Sequence, residues 1–258
     1  MTSVTTSTAV KADGTAYGIN EHGYSVMTTT VNNAYDALGR LTGATGTVTG
    51  RQVTTVWTDK NRNNTWDADE TVLTPVLVSG TNTYAVIHGQ AVVVTSVTTS
   101  TAVKADGTAY GINEHGYSVM TTTVNNAYDA LGRLTGATGT VTGRQVTTVW
   151  TDKNRNNTWD ADETVLTPVL VSGTNTYAVI HGQAVVVTSV TTSTAVKADG
   201  TAYGINEHGY SVMTTTVNNA YDALGRLTGA TGTVTGRQVT TVWTDKTGTT
   251  PGTRTKPF

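Results

Sequence analysis

Residues 2–94 recur as 95–187 without a single substitution, and the first 59 residues of that unit recur once more as 188–246. The period is 93 residues, followed by a Gly/Pro/Thr tail over 247–258, TGTTPGTRTKPF, read as loose. Exact tandem repetition constrains the fold more than any other feature. Every side-chain arrangement exists at two or three equivalent places, so a single dedicated active site is disfavoured. A repeated ligand site or a stacking surface is favoured instead. The repeat gives the domain reading: unit one at 2–94, unit two at 95–187 and a partial third unit at 188–246. The junction Val94-Thr95-Ser96 lies inside the unbroken run from Ala91 to Val103. It holds no Gly, Pro or charge to mark a linker, so one strand is expected to cross it and pair with strands of both units.

The residues of the unit say what is stacked. Thr supplies about 60 positions and Val 35, and both are β-branched, stiff at χ1 and suited to a pleated, half-wet surface. No segment shows sustained apolar spacing at 3.6 residues. The chain is therefore expected to be all-β, an elongated array of antiparallel hairpins arranged as a spiralling sheet or a solenoid-like stack. Turn signals divide the unit into roughly seven strands. Lys11-Ala12-Asp13-Gly14 and Asp36-Ala37-Leu38-Gly39 end the first two, and Gly50-Arg51 separates the next pair. Ser79-Gly80-Thr81-Asn82 and His88-Gly89-Gln90 close the rest. Val53, Thr55 and Trp57 share one face of their strand. Pro75 argues against a helix and fits a strand edge or break.

Several classes fall away. Without cysteine there is no disulfide framework or thiolate site. The net charge of −2 and the absence of a basic cluster disfavour nucleic acid as a partner. MTSVTTSTAV lacks a basic stretch followed by an apolar one, so no signal peptide is expected. The longest apolar run, Ala91 to Val94, is far short of the about 20 residues a membrane helix needs, so no membrane insertion is expected.

NNAYDALGRLTGATGT resembles the YD repeats of Rhs and teneurin-type proteins, whose pattern is roughly YDxxGRLTxxT. The matching residues are Tyr35, Asp36, Gly39, Arg40, Leu41 and Thr42, then Tyr128, Asp129, Gly132, Arg133, Leu134 and Thr135. The third set is Tyr221, Asp222, Gly225, Arg226, Leu227 and Thr228. The resemblance implies a strand–turn–strand element of a long spiralling sheet in a large secreted or surface protein. From the residues alone, Asp36 is expected to bond its own turn, Gly39 to take positive φ, and Arg40 to pair with Asp36.

One segment carries metal chemistry. Asp59, Asn61, Asn63, Asp67 and Glu70 fall at positions 1, 3, 5, 9 and 12 of a loop, with Thr65 at position 7 offering its carbonyl. That is the spacing of an EF-hand calcium loop. A hard cation needs six to eight oxygens, and alternate residues of a tight loop converge to supply them. Position 6 is Asn64, the non-glycine residue most tolerant of left-handed backbone. The second copy is Asp152, Asn154, Asn156, Thr158, Asp160 and Glu163; the third stops at Asp245-Lys246. VWTDKNRNNTWDADE also resembles calcium loops of β-sandwich repeats in Gram-positive surface adhesins. Lys60 and Arg62 offset the carboxylates, so two sites of extracellular grade are expected, with Kd ~10⁻⁴–10⁻³ M. A solvated acidic turn without metal is the alternative.

Glu21-His22-Gly23 and His88-Gly89-Gln90 read as turns, and no nucleophile elbow appears. Asn63-Asn64-Thr65 matches a glycosylation sequon inside the calcium loop. The leading reading is a structural repeat protein, an extracellular filament or cell-surface fibre that associates head to tail with itself. The second is a spacer or carbohydrate-binding segment of a large adhesin, with surface glycans as partners. An enzyme comes third.

Overall fold

The computed structural model describes residues 1–57, 71–150 and 164–239. These form one open antiparallel sheet, and no helix occurs among them. Its strands are β1 (Thr2–Thr8), β2 (Ser25–Tyr35), β3 (Leu41–Trp57), β4 (Thr71–Ile87), β5 (Gln90–Ala102) and β6 (Ser118–Tyr128). They continue as β7 (Leu134–Trp150), β8 (Thr164–Ile180), β9 (Gln183–Ala195), β10 (Ser211–Tyr221) and β11 (Leu227–Gln238). Order in space equals order in sequence, so the architecture is a single meander. The all-β hairpin array expected from the Thr/Val pattern is what forms.

The repeat boundary falls inside a strand. β5 begins in the first unit and ends in the second, pairing with β4 on one side (Thr95↔Thr83) and β6 on the other (Thr95↔Asn125). β9 does the same at the next boundary, between β8 and β10.

Three local expectations are corrected. Gly50-Arg51 is no turn: β3 runs straight through it, with Gly50 between Met27 on β2 and Val78 on β4. A Cβ at Gly50 would overlap the Val26 carbonyl and the Met27 sulfur, so the glycine answers crowding from the neighbouring strand. Ser79-Gly80-Thr81-Asn82 likewise lies within β4, where a Cβ on Gly80 would come within 2.6 Å of the Val97 carbonyl. The seven short strands thus merge into fewer, longer ones. Pro75, third, sits inside β4 opposite Val53. Val53 sends its N–H the other way, to the Tyr24 carbonyl at 2.8 Å, so Pro75 faces no donor demand from β3. Its own carbonyl accepts from Val103 N–H at 2.9 Å, just where β5 ends. A missing N–H is harmless there.

The core is thin. Ala44, Val78 and Ala102 are buried on one face, Val53 on the other, and among the described residues only Val103 and Val196 are almost wholly enclosed. Much of both faces is wet, which explains the choice of threonine. One row of hydroxyl residues crosses all eleven strands: Thr6, Thr28, Thr49, Ser79, Thr99, Thr121, Thr142, Ser172, Thr192, Thr214 and Thr235. Neighbours bond along it, Thr99 to Thr121 at 2.9 Å and Thr192 to Thr214 at 3.0 Å. Each such cross-strand pair contributes about 0.2–1 kcal/mol.

Candidate functional site

All turns between β2 and β3, β4 and β5, and their copies lie at one end of the sheet, because consecutive strands alternate in direction. In the first Tyr-Asp turn, Asp36 Oδ1 accepts from the N–H groups of Leu38 and Arg40, both at 2.9 Å. Its Oδ2 accepts from Arg40 Nε at 2.7 Å, and Gly39 takes φ 75. One carboxylate therefore satisfies the turn, as the residues led us to expect. The Arg40 backbone N–H, followed by its guanidinium, holds the Asp36 carboxyl below its ordinary range. Asp129 with Arg133 and Asp222 with Arg226 repeat the arrangement and the shift. A shallow open groove of about 620 Å³ lies beside this turn, lined by Tyr35, Asp36, Arg40 and Gly89 among others.

The tyrosine does something the sequence did not reveal. β5 carries a bulge at Val94, where the register shifts between Thr83↔Thr95 and Tyr84↔Val93. The Val93 carbonyl accepts from Tyr128 Oη at 2.9 Å and Asn126 Nδ2 at 3.0 Å, both residues of the next unit. Val186 is held the same way by Tyr221 and Asn219. His88, at φ 49 in the β4–β5 turn, places Nε2 2.7 Å from the Ala130 carbonyl of the following Tyr-Asp turn. The turn reading of His88 is right, and this turn also docks on its neighbour. No spacing in the sequence announces these contacts, because they join residues 33–42 positions apart on different strands and turns.

At the other end of the sheet lie the connections preceding β2, β6 and β10. In the first, Lys11 Nζ meets Glu21 Oε1 at 2.7 Å and sits 5.6 Å from the Tyr17 ring centroid. Glu21 Oε2 accepts from Gly18 N–H at 2.9 Å. The Lys11 side chain, then the Gly18 N–H, lower the Glu21 pKa. Gly23 has φ 92 and lies so close to Tyr17 that a Cβ would fall 2.9 Å from the ring. The segment Glu21-His22-Gly23, read as an unremarkable turn, thus includes the anchor of its connection. Arg51 Nη2 donates to Asn20 Oδ1 at 2.7 Å, and a Cβ added to Gly107 of the next unit's connection would meet the same guanidinium at 3.8 Å. Arg51 Nε is buried with no hydrogen-bond partner among the described residues.

The residues expected to form a calcium loop, Asp59, Asn61, Asn63, Thr65, Asp67 and Glu70, lie outside the described residues. So do Asp152, Asn154, Asn156, Thr158, Asp160 and Glu163. The flanks of each loop are described: Trp57 pairs with Thr71 and Trp150 with Thr164, so strands and not helices lead in and out. Among the described residues no group of three or more His, Asp or Glu is placed to hold a metal ion. No protein-family model matches the chain, and no curated protein is similar enough to count as a relative.

Proposed function

We propose that this chain is a structural repeat segment of an extracellular filament or cell-surface fibre, stiffened by calcium bound in the 59–70 and 152–163 loops. The observation that carries the reading is the boundary strand. β5 and β9 each belong to two units at once, so adjacent units share one ladder and transmit load through backbone hydrogen bonds. Stacking then continues wherever another unit is added. The likeness to YD repeats, which serve as structural sheet elements, and the EF-hand spacing of the two loops support the same reading. It assigns no catalytic residue, and its partner is the repeat itself. The adhesin-spacer reading shares the calcium loops and differs in how far the array grows.

Negative-stain microscopy of the purified chain in millimolar calcium tests the proposal. Long uniform filaments are expected; isolated rods would favour the adhesin spacer. Calorimetry is expected to show two weak calcium sites per chain, and Glu70→Ala to weaken one of them. Absence of both calcium heat and a melting shift at about 10 mM would remove calcium from the proposal.

A further inference from the structure

The hydroxyl row that crosses the sheet is the border of a wider grid. Two further rows run beside it on the same face, two and four residues along each strand. The first holds Thr30, Thr47, Thr81 and Val97 with their copies, and the second Asn32, Thr45, Thr83 and Thr95 with theirs. From β2 to β10, strands with a neighbour on both sides, every position of the three rows is Thr, Ser, Asn or Val. None of these positions carries a charge or an aromatic ring. The grid ends on one side at the row of Arg51 and Leu77, and on the other at the bulges after Ala34 and Thr83.

This uniformity belongs to one face. Thr45, Thr47 and Thr49 of β3 are exposed, as are Ser79, Thr81 and Thr83 of β4. The residues between them face the other way and follow no single chemistry: Ala44, Gly46 and Val48, then Val78, Gly80 and Asn82. Solubility alone does not account for the grid, because charged side chains serve solubility best and these rows have none. The side chains are also held in place. Threonine is stiff at χ1, and bonds between strands recur with the repeat. Thr95 donates to Asn125 at 3.0 Å and Thr188 to Asn218 at 3.0 Å, beside the Thr99–Thr121 and Thr192–Thr214 pairs. Side-chain ladders of this kind are among the devices that flatten a many-stranded sheet.

The chemistry of the grid selects its ligand. A small molecule needs a concave site, and the grooves beside the Tyr-Asp turns lie off this face. A polyanion needs cationic side chains, and a protein partner needs a large apolar or aromatic anchor; the rows offer neither. They offer methyl groups, which order the water around them, and hydroxyls, which fix that water by donating and accepting at once. Valine at the Val97 and Val190 positions keeps the methyl groups. Neighbouring strands stand about 4.8 Å apart, and alternate residues of one strand about 6.8 Å apart. Oxygen rows on the prism faces of ice repeat at distances close to both. We infer that this threonine face is an ice-binding surface whose ligand is the water lattice of an ice crystal. The inference uses neither the calcium loops nor the assembly of copies into a filament.

The test is ice grown slowly from a solution of the full chain, with crystal shape watched by microscopy and the protein taken up by the ice measured after melting. The chain is expected to facet the crystals and to be enriched in the ice. Thr47→Lys with Thr140→Lys places a long charged side chain in the middle row of both complete units and should abolish faceting and uptake. Leu38→Lys with Leu131→Lys makes the same change of charge at two exposed turn residues off the grid and should leave both intact. Circular dichroism retaining the β signal shows that the variants fold. Should the lysine pair unfold the chain, Thr47→Val with Thr140→Val, which removes hydroxyls and keeps the shape, decides instead through a partial loss of uptake. Disc-shaped crystals with the parent chain excluded from them overturn the inference, as does full activity in a folded grid variant or equal loss in the turn variant. Binding of the parent to crystalline cellulose without any effect on ice also overturns it, in favour of a polysaccharide surface.

Discussion

β1 and the Thr95–Thr101 part of β5 have the same seven residues and lie in different surroundings. Every residue of β1 is exposed, whereas every one of its β5 counterparts is at least half-buried. β11 and β7 make the same comparison at the other edge: Gly139 in β7 lies beneath Tyr177, 2.9 Å from where its Cβ would be, while a Cβ at Gly232 in β11 would meet nothing closer than 3.8 Å. Local sequence sets strand propensity and face alternation. Burial is conferred by the neighbour, and in this fold the neighbour belongs to another strand of the meander or to the next repeat. Stability is then a property of the junction more than of the unit.

The strongest way to break this comparison is to cut at it. A 2–94 fragment loses the outer half of β5 and leaves the β4 edge bare along Val76 to Thr83. It should melt at least about 10 °C below the 2–187 fragment at matched calcium, a shift on the scale of 1–3 kcal/mol in a domain of this size. Equal melting temperatures would show autonomous units. Next in size is the valine pair. Val103→Ala should destabilise by about 1.5–3 kcal/mol, the worth of a fully buried aliphatic side chain. Val10→Ala should change stability by less than about 0.5 kcal/mol, as exposed substitutions do. Chemical denaturation measures both, and similar losses would contradict the difference in burial.

The glycine pair should differ in sign. Gly139→Ala pushes a methyl group against Tyr177 and is expected to cost about 1–3 kcal/mol. Gly232→Ala meets open space and should gain a few tenths, because glycine is the poorer strand residue. The smallest effect is the acid response, which should be the same at edge and interior. Asp36, Asp129 and Asp222 have depressed pKa values, as do Glu21, Glu114 and Glu207. A depressed carboxyl contributes stability that is present above its unfolded pKa and lost as pH falls through the folded value. Melting temperature should therefore hold from pH 7 to about pH 5 and decline below about pH 4. Its slope per repeat should not depend on how many neighbours are present. These partners are local, with Arg40 four residues from Asp36 and Lys11 ten from Glu21.

Those local groups are also what the sequence made legible. Asp36, Gly39 and Arg40 sit in one turn, so their residue types announce the hydrogen bonds they make. His88-Gly89 marks its turn, and the unbroken run from Ala91 to Val103 announces a strand that crosses the repeat boundary. Gly50, Gly80 and Pro75 misled because their reasons are not local. The glycines make room for Met27 and the Val97 carbonyl on adjacent strands, and Pro75 is tolerated because β5 ends beside it. The Tyr128 and Asn126 bonds to Val93 depend on a bulge that only the completed register creates. The residues with the EF-hand spacing carry the plainest chemical pattern in the sequence, and they fall outside the described residues.

The identical registers of β4 on β5 and β8 on β9 have a further consequence for the route by which the chain folds. A nascent β4 meets two equally good partners, the strand that follows it and the copy one period later. Contact energy cannot distinguish them. Only loop closure does: the native turn spans about 3 residues and the wrong one about 96, roughly five doublings at about 0.6 kcal/mol each, or about 3 kcal/mol in favour of the near strand. That margin is a factor of about 150 in population, and it shrinks between chains as concentration rises. Refolding at high concentration should therefore trap exchanged pairings that dilute refolding avoids.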